Sequence, residues 1–191
     1  MKKDYETDDN KKIIHLYVIS RCTNSCPLCC NNEYDIEKIP VVTVDELKNA
    51  ETVCLTGGEP FLYEGICDFA QSIKKQYPNI TNIYVYTSGL SLGRWFTWRD
   101  LHHIDGINIS PKGKHDMDAL CRIFKYNYLT DQIYKLKSSR FYQFPDIKDE
   151  WVEALNIDKN STLKIIKREW QEHFEPVSGI FRRIPVLFDG Q

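Results

Sequence analysis

Hydrophobic residues in this chain come in short runs, and turn residues close most of them. IIHLYVIS (13–20), rich in β-branched and aromatic residues, predicts a strand. TVCLTGG (52–58) is an apolar run stopped by two glycines, which predicts a buried strand. NIYVYTSG (82–89) and GINISPKG (106–113) repeat the pattern and end in glycine or proline. Between these runs the period changes. Thr43 followed by Glu46 forms a capping box that opens a helix over 43–50. Apolar residues at 66, 69, 70 and 73 give a helical stripe over 64–77, which Pro78 ends. GRWFTWRDLHHI (93–104) and MDALCRIFKY (117–126) predict two further helices.

Strand, loop and helix thus alternate about four times, which predicts an α/β fold with a parallel sheet and helices packed outside it. Right-handed crossovers put the loop after each strand on one edge, where ligands bind in open α/β sheets and in barrels. Four unusual loops land on that edge: SRCTNSCPLCCNN, TGGEP, TSG and SPKG. Beyond residue 127 the pattern weakens. QIYKLKSSRFYQF (132–144) predicts one more strand, TLKIIKREWQEHF (162–174) a helix with a strand-like start, and FRRIPVLF (181–188) a terminal strand or extended arm. Roughly five or six strands are too few for an eight-fold barrel, so a partial barrel or an open parallel sheet is expected.

Composition narrows the function. A chain of 191 residues, 42% hydrophobic, predicts one domain over 13–191, with 1–12 a polar, flexible start. A net charge of −2 gives no long-range pull toward nucleic acid or anionic lipid, so neither is an expected partner. No apolar stretch approaches the roughly 18 residues of a membrane span, and no h-region follows MKKDYETDDNKK. A soluble, cytoplasmic protein is expected.

Four of the seven cysteines, at 22, 26, 29 and 30, crowd into one loop. In a reducing compartment an odd count of thiols argues against disulfides. Zinc sites usually pair two C-x2-C units, or one with two histidines. Here no second pair exists, and His15, His102, His103 and His115 are scattered. Iron–sulfur clusters take thiolates, and three at C-x3-C-x2-C leave one iron without a protein thiolate. Cys30 directly follows Cys29, and adjacent residues do not easily reach two corners of one cluster. Gly57 and Gly58 allow close backbone approach, Glu59 can accept from an ammonium, and Pro60 stiffens the turn.

C-x3-C-x2-C after the first strand, with GGEP after the second, resembles the radical S-adenosylmethionine (SAM) family over residues 13 to about 115. The resemblance implies a partial barrel with a 4Fe–4S cluster at the C-terminal edge of its strands, held by Cys22, Cys26 and Cys29. It implies SAM on the open iron, cleaved to a 5′-deoxyadenosyl radical that abstracts a substrate hydrogen. Gly57, Gly58 and Glu59 would hold the methionine amino group. Ser88 would bond its carboxylate or the ribose, Asn108 and Ser110 would face the ribose, and Lys112 would meet the SAM carboxylate or an acidic substrate group. Leu28 departs from the aromatic residue common before the third cysteine, and no cysteine follows Cys121 to hold a second cluster.

The implied enzyme is an oxidoreductase or lyase fed by a flavodoxin or ferredoxin, acting on a small molecule, a peptide or a partner protein. Two short subfamilies are similar. Ser110-Pro111-Lys112 resembles 7-carboxy-7-deazaguanine synthases, which use magnesium, and CPLCCNN with NIYVYTSG resembles glycyl-radical activating enzymes. Residues 13–127 carry the core, and 128–191 the substrate side. There Tyr134, Arg140, Tyr142, Arg182 and Arg183 suit a planar anion or a peptide backbone. The alternative is a non-catalytic iron–sulfur or electron-transfer protein.

Overall fold

The computed structural model describes residues 12–26, 29–32, 35–92, 100–125, 127–170 and 179–190. Strands β1 (Ile13–Ile19), β2 (Thr52–Gly57), β3 (Asn82–Thr87), β4 (Gly106–Ile109), β5 (Ser139–Gln143), β6 (Leu163–Lys167) and β7 (Ile180–Arg183) form one sheet. Its order is β6-β5-β4-β3-β2-β1-β7, and every pairing is parallel. The sheet is open, with β6 and β7 as its edges. The fold is therefore the expected α/β open parallel sheet.

Strands β1 to β6 lie side by side in chain order. Right-handed crossovers between sequential neighbours put every helix on the same face. The helices are α1 (Val44–Asn49), α2 (Ile66–Gln76), α3 (Lys114–Lys125), α4 (Asn127–Lys135) and α5 (Asp149–Glu153). The outer face they cover is aliphatic. Leu16, Leu55, Val85 and Ile107 form one row across four strands, and Ile14, Val53 and Ile83 another. These residues share one core cluster with Ile66, Ala70 and Ile73 of α2 and Met117, Leu120 and Phe124 of α3. The inner face carries different chemistry. His15, Cys54 and Tyr84 form one row; Tyr86, Asn108 and Arg140 form the next. None of these six belongs to the core cluster.

Local signals explain most elements. The Thr43 side chain accepts from the Glu46 N–H while the Glu46 carboxylate accepts from the Thr43 N–H, so α1 starts as the capping box predicts. α2 buries Ile66, Cys67, Ala70 and Ile73 and stops before Pro78. Some expectations need correction. The sheet has seven described strands, not five or six. The strand-like start expected for 162–174 is strand β6 at 163–167, where Ile165 and Ile166 pair with Phe141 and Tyr142 of β5; of the helix expected after it, 168–170 are not helical and 171–174 lie outside the described residues. Lys164 and Lys167 mimic a helical polar face there, but the neighbouring strand decides the outcome. The strand expected within 132–144 is present as β5 from Ser139, with helix α4 running up to Lys135 before it. The third helix starts at Lys114, earlier than Met117.

The helix expected over 93–104 lies mostly outside the described residues; its described end, Asp100–His103, is a turn of 3-10 helix. Residues 1–11 and Leu28 also lie outside them. No helix among the described residues is long and apolar enough to cross a membrane.

Candidate active site

The cysteine loop leaves β1 at the carboxyl edge of the sheet and is tied down along its length. The Gly58 N–H donates to the Ile19 carbonyl at 2.7 Å, and the Glu59 N–H to the Arg21 carbonyl at 2.8 Å, so the β1–β2 ladder runs on into the loop. That close approach explains the paired glycines. Gly57 has φ +143°, and a Cβ there would stand 2.2 Å from the Ile19 oxygen; at Gly58 it would stand 2.0 Å from the Arg21 oxygen. The backbone that these glycines admit is the loop's own.

Two distant carboxylates hold the same loop. Asp189 accepts from the Ser20 and Arg21 N–H groups at 2.8 and 2.9 Å. Asp116, only 2% exposed, accepts from the Asn24 amide at 3.1 and 3.0 Å and from the Lys112 N–H at 2.7 Å. The Asn24 N–H in turn points at the Cys22 sulfur, 3.4 Å away. Downstream, the Asn31 amide donates to the Gly57 carbonyl at 3.3 Å. The loop's shape is therefore fixed by β2, by the turn before α3 and by the last residues of the chain.

Cys22, Cys26 and Cys29 line one cavity of about 440 Å³ with Gly57, Gly58 and Glu59. None of the three is joined in a disulfide among the described residues. Burial raises the Cys22 thiol, against the lowering effect of the Asn24 N–H. Burial pushes Cys26 up to about 11, with Lys112 pulling the other way and the Cys29 and Cys22 sulfurs adding to the rise. The thiols are thus close enough to feel one another's charge. Among the described residues no three His, Cys, Asp or Glu side chains already converge as a metal-binding group. As a donor set, three thiols facing one cavity fit a thiophilic metal cluster with one corner unfilled by protein. The side chain of Cys30 lies outside the described atoms.

Glu59 is 1% exposed, and its carboxylate is taken up by the protein itself. One oxygen accepts from the Phe61 N–H at 3.2 Å. The other accepts from the Thr87 hydroxyl, the Ser88 N–H and the Ser88 hydroxyl at 2.9, 3.0 and 3.1 Å. Burial pushes its pKa above the usual glutamate value, against those donors. Glu59 and Ser88 thus lock the ends of β2 and β3 together. The Ser88 oxygen also accepts from the Leu90 N–H at 3.3 Å.

Ser110 and Lys112 line the cavity from the β4 side, whereas Asn108, 2% exposed, is not on its lining. Asn108 stands within the sheet, in register with Tyr86 and Arg140. Lys112 holds its ammonium 4.5 Å from the Phe144 ring centre and 4.8 Å from that of Trp170. Of the C-terminal residues expected to face substrate, Tyr142 lines the cavity. Arg140 reaches Tyr142 by a hydrogen bond. Tyr134 instead packs on Phe124, Arg182 pairs with Glu46, and Arg183 donates to the Ile39 carbonyl. Sequence reasoning missed Asp116, Asn24 and Asp189. Asp116 had one readable signal, an acid in the first turn of a helix just after SPKG.

No family model matches the chain. The chain is 30% identical over 91 residues to the GTP 3′,8-cyclases of two Clostridium perfringens strains, SM101 and 13, both Type A. That match covers 42% of this chain and 28% of each cyclase, so the chain aligns with less than a third of the length of these relatives. A solved structure titled "Crystal structure of BtrN in complex with AdoMet and 2-DOIA" aligns over 83% of this chain and 56% of that one, at 15% identity and a TM-score of 0.42. The chain is thus similar in part to a curated cyclase and aligns loosely with a protein solved with AdoMet.

Proposed function

We propose that this chain is a radical SAM enzyme. The observation that carries the reading is that Cys22, Cys26, Cys29 and the Gly57-Gly58-Glu59 turn line one cavity at the carboxyl edge of a parallel sheet. Partial similarity to a GTP 3′,8-cyclase supports it. Cys22, Cys26 and Cys29 would hold a 4Fe–4S cluster, and the remaining iron would take the amino and carboxylate groups of SAM. When bound, such a cluster supplies the electron that splits the SAM sulfonium into methionine and a 5′-deoxyadenosyl radical.

The chain's own residues then have defined tasks. Asp116 and Asp189 set the loop geometry that puts three thiols on one wall. The Asn24 N–H points at the Cys22 sulfur, where a donor stabilises a thiolate. Burial raises the Cys26 thiol, and the Lys112 ammonium opposes that rise, in the direction of the ligating form. Glu59, held by Thr87 and Ser88, fixes the floor on which methionine would rest. Ser110 lines the cavity where it would meet the ribose, and Lys112 lines it where it would meet an acidic substrate group. Asn108 acts from inside the sheet as support for that wall. A flavodoxin or ferredoxin would supply the electron, in the cytoplasm.

The test is anaerobic reconstitution followed by dithionite and SAM. Wild-type protein is expected to release 5′-deoxyadenosine, and Cys26→Ala protein to give none. Equal amounts from both would overturn the reading. A cluster without SAM cleavage would favour an electron-transfer protein.

A further inference from the structure

The cavity has two unlike ends. Among the described residues, the end built from the loops after β1, β2 and β3 offers thiols, glycine backbone and hydroxyls, and no lysine or arginine. Both such cations on the lining, Lys112 and Arg168, stand at the ends of β4 and β6. Aromatic rings meet them there. Phe144 and Trp170 stack at 4.2 Å between ring centres with 15° between planes, and Lys112 lies against the pair. The Trp170 indole N–H donates to Asp146 at 2.8 Å, which fixes the ring's orientation. The Arg168 guanidinium lies 4.3 Å from the centre of the Tyr142 ring.

That stacked guanidinium makes no hydrogen bond or ion pair with a described residue. A cation over a ring interacts through its face, while its five N–H donors point outward in its plane. Arg168 is therefore oriented by Tyr142, with its carboxylate-recognising edge unused among the described residues. The acidic side chains on the lining are Glu59, already engaged by Thr87 and Ser88, and Glu169, exposed beside Arg168.

We propose that this β4–β6 end is the substrate subsite, and that it selects a planar ring system carrying an oxyanion, either carboxylate or phosphate. The inference rests on the proposed function, because it assumes that SAM occupies the thiol end. The Phe144–Trp170 pair provides flat apolar surface for a ring, and Arg168 with Lys112 receives the anion.

Calorimetric titration of the reconstituted protein tests it with four probes: pterin-6-carboxylate, GTP, unsubstituted pterin and inorganic phosphate. One of the two planar anions is expected to bind at least tenfold more tightly than both pterin and phosphate. Which one binds separates carboxylate from phosphate. Arg168→Ala is expected to weaken that probe at least tenfold, Arg168→Lys to recover part of the loss, and Trp170→Leu to weaken it several-fold. Equal affinity for pterin and the planar anions, or unchanged affinity in Arg168→Ala, overturns the proposal. SAM is titrated in parallel. SAM binding without anion selectivity overturns this subsite alone; anion selectivity without SAM binding upholds the subsite and overturns the enzyme reading.

Discussion

The two faces of the sheet are made by the same strands, one residue out of phase, yet they do opposite work. The outer face presents Leu16, Leu55, Val85 and Ile107 to helices, and nearly everything there is aliphatic and buried. The inner face presents His15, Cys54, Tyr84, Tyr86, Asn108 and Arg140, groups with hydrogens to donate and charges to place. Sequential strand order makes the difference possible, because it leaves the inner face without helices. Stability should therefore reside on one side and chemistry on the other.

The largest expected effect breaks the outer face. Phe141 is fully buried, and Phe141→Ala should cost about 3–5 kcal/mol, read as a lower denaturant midpoint. Tyr86→Phe, on the inner face, should cost about 1 kcal/mol. A Tyr86→Phe loss as large as that of Phe141→Ala would erase the distinction. Gly58→Ala tests the edge where the faces meet. Its Cβ would stand 2.0 Å from the Arg21 oxygen, so loop and strand must separate. A loss of about 3 kcal/mol is expected, with iron content after reconstitution falling in parallel. Full iron loading would show that the loop tolerates another path.

A smaller effect tests the clamp from the chain's end. Asp189→Ala removes the acceptor of two backbone N–H groups at the loop entry and should cost about 1–3 kcal/mol. Iron retention during desalting should fall more than the melting temperature implies.

The smallest effect lies far from the cavity. Burial raises the Glu46 carboxyl, but hydrogen bonds from Arg182 and Thr43 outweigh it and hold its pKa below the usual glutamate value. A depressed carboxylate stabilises the fold above its unfolded pKa, and that contribution fades as pH falls through the folded value. Glu46→Gln should thus lower stability by under about 1 kcal/mol at neutral pH and leave it unchanged at pH below the folded pKa, as thermal melts against pH would show.

Both faces were partly legible in the sequence. Alternation in NIYVYTSG and the apolar run TVCLTGG revealed β3 and β2, because those strands carry their own period. β6 was only partly legible, as a strand-like start to an expected helix, since its pattern LKIIK fits both and its partner β5 settles the matter. Cys22, Cys26, Cys29 and the glycine pair were readable, because cluster spacing and close backbone approach are local. The role of Gly57 and Gly58 was read as approach to a ligand, whereas the backbone they meet is that of Ile19 and Arg21. The roles of Asp116 and Asp189 were not legible, because they act on a loop some 92 and 168 residues away. Ser88 and Glu59 were expected to face a cofactor; both line the cavity, and the hydrogen bond between them was not legible because it joins two strands.

The central claim is that three inner-edge thiols hold a cluster whose open corner takes SAM. Electron paramagnetic resonance of the reduced, reconstituted protein with and without SAM tests it most directly. A 4Fe–4S signal that shifts when SAM is added, lost in Cys26→Ala and kept in Cys30→Ala, is the predicted result. A signal indifferent to SAM, or one that survives Cys26→Ala, would contradict it.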